Sequence, residues 1–191
     1  MQPERGRSIE AGLKWQQADS QASATVYRNR VSQLIGYQPD RSQCPAAPAY
    51  DFGCAGNTGS ARLLGASFDG QTRAGAWTLR ATLDLLDATD EDTGERLPRR
   101  ARHQETLAAD WRGGAWSLGG TVVGVGDRPD GGKTLGAYAT LDLQARWQLA
   151  PKWQLEARLL NAFDRDVEPA RDYQGLGRQA WVGARYEWAG P

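Results

Sequence analysis

Few side chains in this sequence could do chemistry, and none stands where chemistry would need it. The single histidine, His103, has no nucleophile or thiol close by, whereas acid–base and nucleophilic catalysis need a base paired with its reacting group. Asp87, Asp90, Glu91, Asp92 and Glu95 bring together enough carboxylate oxygen for a hard cation. Their spacing fits no EF-hand, however, and a solvated acidic loop is the better explanation. Gly124-Val125-Gly126 and Gly131-Gly132-Lys133 lack the strand–loop–helix setting in which glycines cradle phosphate, so they read as loop glycines. Cys44 and Cys54 share one polar loop with nothing beside them to complete a zinc site. Two cysteines closing a short loop suit an oxidising compartment and predict a disulfide, with two free thiols as the alternative. Neither an enzyme nor a cofactor or metal is expected.

The elements that carry these residues alternate with period two. The chain has 191 residues, 23 basic and 23 acidic, so its net charge offers no case for a nucleic-acid partner. Hydrophobic residues make up 40% of it, and its mean hydropathy is −0.64. No apolar run reaches the roughly 18 residues of a membrane helix. That does not make the chain soluble, because membrane-spanning strands alternate and average out to polar. The first residues, Met1 to Arg7, contain no apolar stretch of the secretory type.

Alternation recurs in about nine segments of roughly ten residues each. Trp77, Leu79, Ala81, Leu83 and Leu85 face one way, and Thr78, Arg80, Thr82 and Asp84 the other. Ile9, Ala11, Leu13 and Trp15 repeat the pattern in a first strand over Ser8–Ala18, before a break at Asp19-Ser20. The second strand is predicted at about Ala22–Ile35 and the third at about Asn57–Thr72. The fifth lies at about Ala101–Arg112, and the sixth starts at Ala115. Leu141, Leu143, Ala145 and Trp147 mark the seventh, and Trp153, Leu155, Ala157 and Leu159 the eighth. Val182, Ala184, Tyr186 and Trp188 mark the last.

Two regularities point to a membrane barrel rather than a soluble sandwich. Connections alternate between short ones, near Asp19, Gly75, Gly113 and Pro151, and long ones, beginning near Gly36, Asp87, Gly126 and Phe163. Outer-membrane barrels have short periplasmic turns and longer extracellular loops. Six of the 8 tryptophans, Trp15, Trp77, Trp111, Trp116, Trp147 and Trp153, lie within a few residues of a short turn. Trp188 lies near the C-terminus, which the up-down order places on the same side; Trp181 is the exception. Indoles are stable where ring meets hydrocarbon and N–H meets water, so this row reads as an interfacial girdle against a lipid bilayer. About ten residues at roughly 3.3 Å each, tilted near 45°, cover an apolar band of about 25 Å. Arg80, Asp84, Asp110, Arg146, Glu156, Arg158 and Arg185 fill the opposite face. A wet lumen tolerates that set and a dry core does not.

Parity adds one expectation. Single-chain bacterial barrels have an even strand number with both ends in the periplasm. Nine strands ending there would begin outside, so the sequence predicts the end piece of a larger barrel.

Several stretches resemble the C-terminal part of TonB-dependent receptors. Pro3-Glu4-Arg5-Gly6-Arg7-Ser8-Ile9-Glu10-Ala11-Gly12 is similar to a strand opening in those proteins, and Tyr27-Arg28-Asn29 with Leu34-Ile35 to another segment. Asn57-Thr58-Gly59-Ser60-Ala61-Arg62 with Gly65, and Leu97-Pro98-Arg99-Arg100-Ala101, resemble two more. Asn161-Ala162-Phe163-Asp164-Arg165-Asp166 resembles the motif before the last loop, and Gly177-Arg178 the opening of the final strand. Val182, Ala184, Tyr186 and Trp188 resemble the terminal signal read by the barrel-assembly machinery, with Trp188 where Phe is usual and Ala189-Gly190-Pro191 overhanging. The run from Tyr27 to Ile35 looks most like cobalamin transporters.

The resemblance implies an all-β, antiparallel up-and-down transmembrane barrel in the bacterial outer membrane, of about 22 strands with a plug. Residues 1–191 would supply about nine strands of it and no plug. It also implies uptake of cobalamin or another large nutrient chelate, driven by the TonB system through that plug. On this reading the piece alone is not transport-competent, and its ligand-binding residues are undetermined. A siderophore receptor barrel is the alternative within the family. A secreted soluble all-β binding module and an adhesin or autotransporter barrel are the alternatives outside it.

Overall fold

A computed structural model of the chain describes residues 2–38, 40–57 and 59–188. Met1, Thr58 of the Asn57–Arg62 motif and the Ala189–Pro191 overhang lie outside the described residues. Thirteen strands are present among those described. They are β1 (Arg5–Gln17), β2 (Ser20–Ser32), β3 (Ile35–Gln38), β4 (Cys54–Asn57), β5 (Ser60–Ala74), β6 (Trp77–Asp90) and β7 (His103–Gly113). Then follow β8 (Trp116–Val125), β9 (Arg128–Asp130), β10 (Lys133–Leu135), β11 (Tyr138–Ala150), β12 (Trp153–Leu160) and β13 (Gln179–Tyr186). Nine of them form one antiparallel meander in the order β1-β2-β5-β6-β7-β8-β11-β12-β13, with β1 and β13 as its open edges. β3–β4 and β9–β10 are two-stranded ribbons in the long loops.

Why one sheet and not two packed layers follows from how little is buried. Among the described residues the buried apolar side chains are Cys54, Ala61, Ala88, Ala101 and Leu135. A globular chain of this mass would expose about 9,000 Å², but this one exposes 13501 Å². The apolar side chains instead line up on one open face. Leu13, Ala24, Phe68 and Leu83 stand directly opposite one another across four strands. Trp77, Trp111, Leu118, Ala145, Ala157 and Val182 form a second such row. Leu13 is 80% and Val182 88% exposed, which only an apolar solvent would make favourable. A soluble sandwich would bury these rows against a second layer.

The other face is a ladder of polar contacts. Arg80 donates to Asp110 at 2.7 Å and to Gln71 at 3.2 Å. Gln144 reaches Asp110 at 3.2 Å across the intervening strand β8. That reach needs a glycine between them. A Cβ on Gly119 would stand 2.6 Å from both Asp110 Oδ1 and Gln144 Nε2. Ser67 donates to Asp84 at 2.6 Å, and Glu156 lies between Arg146 and Arg158 at 4.0 and 3.6 Å. Each exposed pair contributes about 0–1 kcal/mol; together they make a face that prefers water.

At four hairpins of the nine-stranded sheet only two residues separate the strands. Gly75 and Gly114 adopt φ of +58° and +55°, the left-handed region a tight hairpin requires and glycine enters without strain. The first turn is Ala18-Asp19 rather than Asp19-Ser20, so β2 starts at Ser20. Two sequence boundaries are corrected. The second strand ends at Ser32, with Ile35 in ribbon β3, and the third starts at Ser60, with Asn57 in ribbon β4. The loop placed from Asp87 begins later, because β6 runs to Asp90. No described helix is long and apolar enough to cross a membrane, which says nothing about crossing by strands.

The two faces give opposite expectations for one charge. Leu83→Arg, mid-way along the apolar face, should cost about 2–4 kcal/mol in denaturant unfolding from lipid vesicles. Thr82→Arg, one residue away on the polar face, should cost under about 1 kcal/mol. Equal costs would mean that the faces have been assigned wrongly.

Candidate functional site

The long connections gather at one end of the sheet, and three of them lock together. The ribbon β9–β10 is the hub. Its turn, Gly131-Gly132, has φ of +56° and +81°, as a two-residue turn with both central residues left-handed requires. On one side Arg96 donates to Asp127 at 3.0 Å, the Arg99 amide to Pro129 O at 2.8 Å, and the Arg99 guanidinium stands 3.5 Å from Asp130. On the other side Lys133 holds both oxygens of Glu168 at 2.9 Å, and the Arg171 amide donates to Asp130 at 2.8 Å. Arg128 is 4% exposed. It donates to the carbonyls of Glu168 and Gly136 and lies 5.2 Å from the Tyr138 ring centroid. Leu135, fully shielded, and Ala101, at 2%, are the apolar parts of this cluster. Sequence reasoning missed Arg128, Asp130 and Leu135. The Asp130-Gly131-Gly132-Lys133 turn was the available signal, but strands of three residues leave no alternation to see.

The last long loop is organised by the motif that precedes it. Asn161 is 6% exposed, and φ of +47° is tolerated better by asparagine than by most residues. Its amide N–H donates to Asp142 at 2.8 Å. Its side chain donates to Arg165 O at 2.8 Å and accepts the Arg165 amide at 2.9 Å. Asp164 accepts the Arg178 amide at 2.7 Å. These bonds tie the start of the loop to β11 and its two ends to each other. Between this loop and the start of β11 lies a cleft of about 460 Å³ whose lining includes Tyr138, Arg165, Asp166, Asp172, Tyr173 and Gln174. A larger hollow, lined by Leu13, Trp15, Phe68 and Leu107, opens on the apolar face and so away from any aqueous cargo.

Electrostatics reinforce the locks. The Arg96 guanidinium, hydrogen-bonded to Asp127, holds that carboxyl below the usual carboxylate range. Lys133 and then the Asp172 amide do the same for Glu168. In the first long loop Cys44 and Cys54 are joined by a disulfide, with Cα atoms 5.7 Å apart, closing the segment next to ribbon β3–β4.

At the opposite end stand the tryptophans. Trp15, Trp77, Trp116 and Trp153 are about half exposed on the apolar side. Trp116 stacks on Trp147 at 5.3 Å between ring centroids, and Trp111 pairs with Trp77 in register. Tyr186 packs against Trp153 at 4.9 Å and Trp188 at 5.8 Å. Trp188 lies just beyond β13, and Trp181 falls on the polar face, opposite Arg158.

The family model described as "TonB dependent receptor-like, beta-barrel" matches residues 1–162. The chain belongs to this family. It is a bacterial outer-membrane β-barrel chain, and the family is one of transporters rather than enzymes. It is 25% identical over 194 residues to "Vitamin B12 transporter BtuB" of Vibrio vulnificus (strain YJ016), spanning 98% of this chain and 30% of that protein. Among solved structures it is similar to the copper transporter OprC, with TM-score 0.78 and 17% identity, over 97% of this chain and 31% of that one. The ferric yersiniabactin uptake receptor FyuA from Yersinia pestis matches with TM-score 0.77 and 20% identity, over 97% of this chain and 30% of that one. At such identity these structures share the fold alone. The chain thus spans less than a third of the length of these relatives.

A TonB-dependent receptor presents its long loops outside the cell, so the latched loops meet the medium. Glu168 has a lowered pKa, so the stability its lock adds is full above the unfolded carboxylate value. It is lost only as pH falls through the still lower folded value. Hydrogen exchange at the Asp172 amide, which donates to Glu168 at 3.0 Å, should therefore stay slow from pH 7 down to about pH 5 and quicken below the ordinary carboxylate range. Loosening already at pH 6 would show that Lys133 does not hold it.

Proposed function

We propose that residues 1–191 form the C-terminal wall of a TonB-dependent barrel that takes up cobalamin. The observation that carries this is the likeness to a vitamin B12 transporter along nearly the whole chain. In this reading the cargo docks at the loop end. The cleft between the start of β11 and the last long loop offers it two aromatic rings, Tyr138 and Tyr173, and more acceptors than cations. That lining suits a bulky neutral ligand rich in amide N–H donors better than an anionic chelate. TonB would act through a plug supplied outside this segment. Trp15, Trp77, Trp111, Trp116, Trp147, Trp153 and Trp188 serve as the periplasmic-side girdle. The barrel-assembly machinery reads Val182, Ala184, Tyr186 and Trp188, of which the first three alternate along open edge strand β13. The Cys44–Cys54 bridge staples the first long loop in an oxidising environment.

A ferric-siderophore receptor is the second reading. Solved structures of the same fold, FyuA among them, are named for ferric chelates. The two separate in a binding titration. A complete transporter carrying this wall should bind cyanocobalamin saturably and a ferric siderophore not at all, and Tyr173→Ala should weaken cobalamin binding about ten-fold, or 1.4 kcal/mol. Saturable binding of the ferric chelate with none of cobalamin would replace the first reading by the second.

A further inference from the structure

The outward face carries two charges that cargo uptake does not use. Arg28 stands directly opposite Ile9 on β1 and Leu64 on β5, and Glu105 directly opposite Leu83 on β6. Directly opposed residues project from one face, so both side chains leave the apolar side of the sheet. Arg28 is the ninth residue after the turn Ala18-Asp19, and Glu105 the ninth before the turn Gly114-Ala115. Trp15 and Trp111 are each the third residue before their turns. The six residues from that level, at roughly 3.3 Å each and a 45° tilt, rise about 14 Å, mid-way up an apolar band of about 25 Å.

Neither charge finds a partner within the described residues. Arg28 is exposed and has no ion pair. Glu105 lies over Gly124, where a Cβ would collide with its carboxylate, and its Oε2 is shut from solvent without a donor. His103, the next outward residue of β7, packs on Gly126 instead. β5 and β6 stand between the two charges, and three strand spacings of about 4.8 Å each are more than the two side chains can bridge. Nearer the loop end the same face differs. Arg7, Arg30 and Arg62 form one row across β1, β2 and β5, and Glu91 and Asp87 lie 2.7 and 3.5 Å from Arg30 and Arg62. A charge in mid-band has neither such an acid nor water beside it.

The placement of the two charges is symmetrical. Ala66 is the ninth residue before the turn Gly75-Ala76 and Leu85 the ninth after it, and the two oppose one another on the apolar face. One level therefore reads Arg28, Ala66, Leu85, Glu105 across β2, β5, β6 and β7. Neighbouring hairpins are staggered by two residues, Arg28 facing Leu64 and Leu85 facing His103, as strands inclined to the barrel axis require. A two-fold axis along the membrane normal keeps each residue at its level and exchanges left for right. Set outside the midline of β5 and β6, it brings the Arg28 of each copy opposite the Glu105 of the other. Ala66 beside that axis is small enough to let two walls approach. We propose that this wall is an interface with a second copy of the same protein, closed by two reciprocal Arg28–Glu105 ion pairs within the bilayer. Opposite charges attract most strongly where water is absent, and lipid headgroups, held at the bilayer surface, do not reach this level. A contact between identical surfaces must be self-complementary, and a wall carrying both signs at one level is so. The inference rests on the apolar face meeting lipid and not on which cargo is carried.

Copies of a complete transporter carrying this wall, tagged with donor or acceptor fluorophores, are reconstituted in phosphatidylcholine vesicles, and energy transfer is followed as lipid is added. Transfer above random encounter is expected for the unaltered protein. R28E alone or E105R alone sets like charges face to face and should raise the protein-to-lipid ratio for half-maximal transfer about ten-fold. R28E mixed with E105R restores opposite charges at both contacts and should return that ratio to within about two-fold of the unaltered protein, a rescue that only a contact between copies produces. R146S/R158S on the lumen face should leave it. Ala66→Trp adds bulk on the lipid side without charge, so it tests the same axis where a charge variant fails to assemble, and it should weaken transfer as R28E does. Transfer no greater than random encounter in the unaltered protein would overturn the interface. So would transfer undiminished by Ala66→Trp, or a mixture that associates no better than its components.

Discussion

Everything in this chain follows from backbone hydrogen bonding in a medium that offers none. In hydrocarbon an unpaired N–H or C=O costs several kcal/mol, so a strand crossing it must pair on both sides. A meander of nearest-neighbour hairpins meets that demand with the shortest connections. It also leaves one layer, and one layer cannot hide anything. Its two faces must therefore each suit a different solvent, and the strict separation of Leu13–Phe68–Leu83 from Arg80–Asp110–Gln144 is the result.

The loop end solves a different problem. Outside the membrane the sheet has no core to anchor its connections, so they anchor one another. The β9–β10 ribbon does this with Asp127, Asp130, Arg128 and Lys133, each tied to a residue of another loop or to its own end of the sheet. Asn161 and Asp164 do it within the last loop by capturing backbone groups. A motif that looks arbitrary as a string of letters becomes the set of side chains that ties the last loop to β11 and to itself. Among these groups Asp127 and Glu168 are held below the usual carboxylate range by Arg96 and Lys133.

How much of this could be read in the sequence divides along the same line. The nine long strands, their phase and the alternation of short and long connections were legible, because a ten-residue alternation is long enough to count. Trp77 to Leu85 fixed its own face without help. The loop ribbons were not legible: Arg128–Asp130 and Lys133–Leu135 are too short for a period, and the buried state of Arg128 depends on Tyr138 and on carbonyls far away in sequence. The arginine row was hidden for another reason. Arg7, Arg30 and Arg62, opposite one another across β1, β2 and β5, become neighbours only once the register is set, and a turn read at Asp19-Ser20 instead of Ala18-Asp19 slips the pairing by two residues, which keeps each face but sets Arg7 opposite Ser32. The disulfide partners could be paired by elimination, but not the ribbon beside them.

The central claim is that one face of the sheet meets acyl chains and the other meets water. Spin labels placed singly at each position from 79 to 86, in protein reconstituted into vesicles, test it most directly through collision with oxygen and with a water-soluble nickel chelate. Oxygen should dominate at 79, 81, 83 and 85, and the chelate at 78-phase positions 80, 82, 84 and 86. A profile with no period of two, or one in which both sets of positions are shielded from both reagents, would show a packed interior and contradict the membrane wall.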